Sequence, residues 1–261
     1  MPKHRIGLSM LYTLSQPFSK MTKKLAAATT PYVEIVDDGS HTLSKKRIQT
    51  LNEAATSYNL KYSVHAPFAD INVASPSKPM LKASMKRLKQ SLHYASELNA
   101  YLCVIHPGSK SGISAFYPGA DWKQNAESIK ELHKTAKNLG VKIALENLPE
   151  KYHFLMKTPD DFSQFYQETG LTDIGIVLDT GHANLEGQIQ PFLQKLPNKI
   201  THVHISDNNG IIDEHLGLGH GSIDWTNFAK MLKATNFNGT ILTESVYNVE
   251  ETMQKLTELF A

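Results

Sequence analysis

Side chains that can bind a metal ion follow six of the short apolar runs in this sequence. Each run is rich in valine, isoleucine and leucine, which is typical of a buried parallel strand. The residues that close these runs are, in chain order, His65, His106, Glu146, Asp179, His204 and Glu244. Because parallel strands end at a common edge, this recurrence predicts one shared site and requires a fold that brings six strand ends together.

Eight strand-like runs, the first at 5–10 and the last at 240–246, alternate with eight helix-like segments. This order indicates parallel strands joined by right-handed crossovers. An open, doubly wound sheet is the alternative, but the first strand-to-helix junction lacks the G-x-G-x-x-G phosphate turn. An open sheet would also spread the six strand ends too far apart to share a site. The sequence therefore predicts an α/β fold, a single (β/α)8 TIM barrel over residues 1–261, close to the ~250 residues typical of such barrels.

Composition and charge narrow the class of protein further. The formal net charge of +2 supplies no broad basic surface of the kind that nucleic-acid-binding proteins usually have, although it does not exclude a local basic groove. No apolar stretch approaches the ~20 residues that span a bilayer, and the N-terminus shows no cleavage-site pattern. The single cysteine, Cys103, lies in an apolar run and is predicted to be a buried strand thiol. We therefore expect a cytoplasmic protein without membrane partners.

Two short motifs add candidate ligands to the strand-end residues. His182 follows Asp179 by three residues, which would let both reach one ion from one turn. Asp213 and His215 are two residues apart, so both side chains would project to the same side of an extended loop. The complete set of predicted ligands is His65, His106, Glu146, Asp179, His182, His204, Asp213, His215 and Glu244. His202 shares its strand face with His204 but lies one layer deeper in the barrel. It is therefore predicted to support the site rather than to bind the ion.

The chemistry of this set narrows the identity of the ion. Imidazole and carboxylate ligands without thiolate suit Zn²⁺, Mn²⁺, Co²⁺ or Fe²⁺ rather than Ca²⁺ or an iron–sulfur cluster. The predicted ligands exceed what one ion can use, so we expect one to three divalent ions, with Zn²⁺ or Mn²⁺ as the leading candidates. The absence of a nucleotide-binding motif predicts that no organic cofactor is needed.

With these ligands and the segments YVEIVDDG and HLGLGHGSIDW, the chain resembles the xylose-isomerase-like barrel superfamily over essentially its whole length. This superfamily contains sugar isomerases and epimerases, such as the inosose and tagatose epimerase types, and also endonuclease IV. Resemblance to the sugar epimerases implies a single metal held by Glu146, Asp179, His204 and Glu244. Resemblance to endonuclease IV implies a trinuclear zinc site that uses all the predicted ligands, each of which has the matching residue type here.

Other positions separate the two families. Endonuclease IV carries an arginine, beside the DNA phosphate, between the Asp and His of its loop motif, whereas this chain has Glu214. An anion at that position would oppose the binding of a phosphodiester. Phe68 resembles the aromatic residue that endonuclease IV inserts into DNA, but Ala69 and Asp70 follow it. Phe68 and His220, which lies in a glycine-rich loop, are predicted to contact the substrate.

Two functions are therefore predicted, in order of preference. The first is a divalent-metal-dependent isomerase or epimerase of a small-molecule sugar, in which Glu146 and Glu244 exchange a proton beside a carbonyl through an enediolate. The alternative is an endonuclease IV-like AP endonuclease or phosphodiester hydrolase, with a di- or trinuclear zinc site and a nucleic-acid partner. A Glu146 that bridges two cations would be a poor carbon base, so the number of ions separates the two functions. A catalytically silent sugar-binding barrel is disfavoured because both glutamates are present.

Overall fold

The computed structural model describes residues 4–149 and 152–261, and its strands close into a parallel barrel. Each strand pairs with the next along the chain, and the last strand pairs with the first. The strands are β1 Arg5–Ser9, β2 Tyr32–Val36, β3 Lys61–His65, β4 Leu102–Ile105, β5 Ile143–Glu146, β6 Gly175–Asp179, β7 Ile200–Ile205 and β8 Thr240–Thr243. The predicted TIM barrel is therefore confirmed.

Helices cover the outside of the barrel. They are α1 Phe18–Leu25, α2 Lys45–Tyr58, α3 Lys78–Glu97, α4 Ala120–Asn138, α5 Pro159–Thr169, α6 Thr180–Asn184, α7 Ile189–Lys195, α8 Trp225–Ala234 and α9 Val249–Leu259. The start of α5 shows how local sequence sets these bounds, since Thr158 and Asp161 form a capping box around Pro159 in the first turn. One helix, the short α6, was not expected from the sequence. It begins directly after β6 because the side chain of Asp179 caps it.

The interior of the barrel is divided into an apolar part and a polar part. Residues of strands alternate between the helices and the interior. A small hydrophobic cluster that includes Val104 and Val177 fills the interior beside β4, β5 and β6. Beside β2, β3 and β7 the interior instead holds the buried polar residues Glu34, Ser63 and His202. This polar part of the core lies beneath the carboxyl ends of the strands, where the predicted ligands are found.

The last strand is shorter than the predicted 240–246. Beyond Glu244 the backbone leaves the barrel, and the amide of Val246 donates to the carbonyl of His215 at 3.0 Å instead of to a neighbouring strand. This contact ties the end of β8 to the long loop between β7 and α8. Cys103 is fully buried in β4, as predicted. Among the helices that the structure describes, none is long and apolar enough to cross a membrane.

Candidate metal centre

The residues predicted at the strand ends all lie at the carboxyl edge of the barrel. His65, Glu146 and Asp179 are the last residues of their strands, and His204 is the second-last residue of β7. His106 and Glu244 directly follow β4 and β8. The amide of Glu244 still donates to the carbonyl of Ile205 at 2.8 Å, which extends the pairing of β7 and β8 by one residue. Strand pairing therefore fixes the position of each side chain.

Four of these side chains form what we call the inner group. Its members are Glu146, Asp179, His204 and Glu244, and one ligand atom from each lies within 4.8 Å of those of the others. Nδ1 of His204 lies 3.3 Å from Oε2 of Glu244 and 3.5 Å from Oε2 of Glu146. All four residues are buried. Three carboxylates and one imidazole thus converge in a space shielded from water.

A second set, the side group, shares one residue with the inner group. Nε2 of His65 lies 3.2 Å from Oε2 of Glu146, and Nε2 of His106 lies 3.3 Å from the same oxygen. The ligand atoms of these three residues also lie within 4.8 Å of one another. Glu146 is therefore placed to serve either group or to bridge ions held by both.

A third set, the outer group, lies toward the surface and consists of His182, Asp213 and His215. Oδ2 of Asp213 lies 3.2 Å from Nε2 of His182 and 3.1 Å from Nε2 of His215. The loop is not extended as expected, because His215 has a left-handed φ of 49°. Asp179 and His182 also fall into different groups. Oδ1 of Asp179 accepts the amide of His182 at 2.7 Å, which caps α6 and turns the imidazole toward Asp213.

Backbone carbonyls fix the orientation of three imidazoles. Nδ1 of His65 is 2.9 Å from the carbonyl of Ala66, Nδ1 of His182 is 2.8 Å from that of Asn147, and Nδ1 of His215 is 3.2 Å from that of Glu244. Because a carbonyl only accepts, Nδ1 must carry the hydrogen in each case. Nε2 faces the carboxylates and is the nitrogen left to bind a cation, which is the arrangement of a metal-binding histidine.

Unpaired polar atoms test whether these groups suit a cation. Nε2 of His106, Oδ2 of Asp179, Nδ1 of His204 and Oδ1 of Asp213 are buried and have no hydrogen-bond partner. Leaving such atoms unpaired costs about 1–3 kcal/mol each. A divalent cation would satisfy them together, and imidazole with carboxylate oxygen is a donor set that Zn²⁺ and Mn²⁺ accept. The residues therefore fit the divalent metal that the resemblance implies.

Burial and neighbouring charges shift the pKa values of the predicted metal ligands. Burial raises the pKa of Asp179 to about 7, with His182 opposing the rise and the charge of Glu146 adding to it. Burial lowers the pKa of His65, but the hydrogen bond and charge of Glu146 outweigh it and raise the pKa to about 9. For His215 burial is likewise outweighed by Asp213, which raises the pKa to about 9. Without a cation, protons therefore neutralise part of the negative charge.

The two predicted substrate contacts occupy different surroundings. The ring of Phe68 stacks on that of His106, with centroids 5.4 Å apart, and meets the ring of His65 edge-on at 5.3 Å. Its backbone amide donates to Oδ2 of Asp38 at 2.9 Å. Phe68 therefore lies beside the side group. His220 is exposed, and its Nε2 lies 3.1 Å from Glu251 on α9, outside the ligand groups. Contact of either residue with a substrate stays a prediction.

One residue at the centre was missed by the sequence analysis. Glu34 lies in the middle of β2, fully buried, with Oε1 3.3 Å from Nε2 of His204. His202, as predicted, lies deeper in the barrel, and its Nε2 is 3.6 Å from Oε2 of Glu34. The signal was present in the sequence, since a carboxylate within the apolar run YVEIV is rarely buried unless it has a partner.

Comparison with known proteins agrees with this architecture. Residues 23–260 match the family model for the xylose isomerase-like TIM barrel, and the chain belongs to this family. "Uncharacterized protein MJ1311" of Methanocaldococcus jannaschii is 33% identical over 92% of this chain and 83% of its own length. The crystal structure of a D-tagatose 3-epimerase-like protein has a TM-score of 0.90 and 31% identity, covering 98% of this chain and 96% of that one. "Probable endonuclease 4" of Carboxydothermus hydrogenoformans is 27% identical over 75% of this chain and 74% of its own length.

Proposed function

We propose that the protein is a divalent-metal-dependent isomerase or epimerase of a sugar or a related polyhydroxy carbonyl compound. The observation that carries the proposal is the inner group, which places Glu146 and Glu244 beside Asp179 and His204 with ligand atoms within 4.8 Å. The likeness to an epimerase-like protein along nearly the whole chain, with a TM-score of 0.90, supports the same class of reaction.

The inner group contains the parts that moving a carbon-bound proton requires. A divalent cation bound there would act as a Lewis acid on a substrate carbonyl oxygen and so acidify the neighbouring C–H bond. Glu146 closes β5 and Glu244 follows β8, so the two carboxylates reach the site from different arcs of the barrel. A carboxylate that holds a cation through one oxygen keeps the second for a proton. One glutamate can remove the proton and the other return it from the opposite side.

The two glutamates are not equivalent as bases. Among the described residues, Glu244 forms an ion pair with His204, whereas Glu146 lies against His65, His106 and His182 as well. Burial raises the pKa of Glu146, but His204 and His106 outweigh it and bring the pKa well below its ordinary value. Burial raises the pKa of Glu244 too, but His204 outweighs it and lowers the pKa. Because one of the described imidazoles pairs with Glu244 and four lie against Glu146, we assign the removal of the proton to Glu244.

The alternative is an endonuclease IV-like phosphodiester hydrolase. The side and outer groups favour it, because together with the inner group they assemble all the predicted zinc ligands at one edge of the barrel. Glu214 opposes it. Its Oε2 accepts the backbone amide of Asn209 at 2.9 Å and the side-chain amide at 3.0 Å, which holds an anion on the loop that carries Asp213 and His215. An anion on this loop, where endonuclease IV carries an arginine, would repel a phosphodiester.

Proton exchange distinguishes the two functions. The metal-loaded protein should incorporate deuterium from D₂O at the carbon beside the carbonyl of at least one member of a ketose and aldose panel. Glu244→Gln keeps the shape of the side chain and should abolish the exchange. Glu258→Gln, at a glutamate on α9 that accepts a hydrogen bond from Gln254, is the matched control and should exchange at the normal rate. Absence of exchange with every sugar, together with metal-dependent nicking of abasic-site DNA, would establish the hydrolase instead.

A further inference from the structure

Glu34 belongs to a polar cluster below the inner group. Its carboxylate is fully buried on the inner face of β2. Oε2 accepts the hydroxyl of Ser63 at 3.0 Å, and Oε1 faces Nε2 of His204 at 3.3 Å. Oε1 of Glu34 and Nε2 of His204 are both buried without a hydrogen-bond partner. At 3.3 Å, each is placed to compensate the burial of the other.

His204 differs from the other oriented imidazoles of the centre. His65, His182 and His215 each donate Nδ1–H to a backbone carbonyl and present Nε2 to the carboxylates. His204 is turned the other way, so that Nδ1 faces Glu146 and Glu244. Its Nε2 faces Glu34 and not a backbone carbonyl. The protein backbone sets the tautomer of three histidines, whereas a side chain is left to set that of His204.

We propose that Glu34 is a positioning residue that holds the Nε2–H of His204 and thereby aims the Nδ1 lone pair into the inner group. A carboxylate partner also makes the imidazole a better donor to a cation. The inference rests on the proposed metal centre, but it concerns how one ligand is oriented and not which substrate is bound.

Neighbouring residues hold Glu34 in place for this role. Glu34 and Ser63 are directly paired in the register of β2 and β3. The hydroxyl of Tyr101 in turn donates to Oγ of Ser63 at 3.2 Å. An apolar cluster that includes Val104 and Val177 fills the opposite part of the interior. Among the described residues, the polar side chains recorded against the carboxylate are Ser63, His202 at 3.6 Å and His204 at 3.3 Å. The polar part of the core therefore directs Glu34 toward His204.

Two variants separate positioning from simple packing. Glu34→Gln preserves the volume but removes the charge, and its dissociation constant for the first Zn²⁺ or Mn²⁺ should rise by about 10–100-fold, as is typical when a metal ligand loses its supporting partner. Ser63→Ala removes the hydrogen bond that holds Oε2 but leaves the charge of Glu34 and the contact of Oε1 with His204, so the same constant should rise by a smaller factor, less than about threefold. Thermal unfolding of both variants without metal checks that each is folded.

A measurement on the wild type does not depend on any variant being folded. In the Zn²⁺-loaded protein, long-range proton–nitrogen NMR of the imidazoles should show His204 protonated at Nε2. His65, His182 and His215 should be protonated at Nδ1. An Nδ1-protonated His204 would overturn the proposal, because that nitrogen is the one assigned to the cation.

The remaining outcomes are also decisive. Equal weakening in Glu34→Gln and Ser63→Ala, or wild-type affinity in Glu34→Gln, would overturn the positioning role. Ligand atoms of Glu34, His202 and His204 also lie within 4.8 Å of one another. Loss of one whole ion per chain in Glu34→Gln, with the affinity for the first ion unchanged, would therefore make Glu34 a metal ligand and contradict the positioning role. A wild type that binds the ion but exchanges no carbon-bound proton removes the proposed reaction and leaves the role of Glu34 intact. A wild type that binds no divalent ion overturns both.

Discussion

The inner and outer groups of the centre are built in different ways. The inner group takes all its ligands from strand ends, and its His204 and Glu244 side chains are 0% and 4% exposed. The outer group takes His182 from a five-residue helix and two ligands from a loop, and its Asp213 and His215 side chains are 16% and 23% exposed. Strand pairing therefore positions one group, whereas the conformation of one loop positions the other.

This difference assigns separate tasks to the two groups. A buried, rigid set of ligands excludes water and keeps acid and base in fixed geometry, which suits the chemical step. A partly exposed set on a loop can exchange ions with solvent and can adapt to a substrate. We therefore expect the inner group to bind the first ion and to be essential for activity. The outer group should bind a further ion more weakly and modify activity.

The largest effect should come from Asp179→Asn. Asparagine keeps the cap of α6, so the helix is preserved, but it removes the charge at the inner group. The first ion should bind more than about 100-fold more weakly, beyond the usual effect of losing only a supporting partner, and proton exchange should be lost. Calorimetry of metal binding and deuterium incorporation measure both. Unchanged metal content would show that the inner group is not the principal site.

A second variant, His215→Asn, addresses the outer group. Asparagine tolerates the left-handed conformation of this position, so the loop should keep its shape. Binding of a further ion should weaken by at least about tenfold, while the first ion should change by less than about threefold. His133→Asn, at a histidine on α4 that pairs with Asp173, is the control and should bind every ion normally. An equal loss of the first ion would show that the two groups act as one.

The pH dependence of ion binding should also distinguish the groups. Asp213 raises the pKa of His215 to about 9 and also raises the pKa of His182, so protons on both imidazoles compete with an outer ion. The inner group has one imidazole of raised pKa, His204, and the pKa of its Asp179 is about 7. Raising the pH removes competing protons, so between about pH 7.5 and about pH 8.5 the affinity for both ions should increase, more steeply for the outer ion. Chelator competition at several pH values measures this, and equal slopes would contradict it.

The smallest expected effect is that of Phe68→Leu. Within the described part of the chain, the ring contacts of Phe68 are with His65 and His106, both of the side group. If Phe68 contacts the substrate, the loss of an aromatic contact worth about 0.5–1.5 kcal/mol should raise KM about two- to tenfold. Steady-state kinetics and metal titration would separate the two roles. A weaker first ion with unchanged KM would assign Phe68 to the metal centre instead.

The inner group could be predicted from the sequence because its ligands close apolar runs. Once the strands are recognised, the common edge follows, and with it the proximity of residues such as Glu146 and Glu244. Glu34 was missed because it lies within an apolar run and not at its end, and its contact with His204 is what shows that it faces the interior. Position along the chain was therefore sufficient to predict the ligands that stand at the ends of strands.

The outer group was only partly predictable, for reasons of loop geometry. The spacing of Asp213 and His215 suggested an extended segment, yet the left-handed backbone at His215 is what turns the ring toward Asp213. The division of Asp179 and His182 between two groups follows from the helix cap, which the spacing alone does not reveal. Such details depend on contacts between distant segments, among them the one between His215 and Val246.

Anomalous scattering from crystals loaded with metal tests the central claim most directly. With one equivalent of Mn²⁺ per chain, the account predicts a single peak among Glu146, Asp179, His204 and Glu244. With excess Zn²⁺, it predicts that this position stays filled and that a further peak appears among His182, Asp213 and His215. A first ion located in the outer group, or an inner position that stays empty at every metal concentration, would contradict the account.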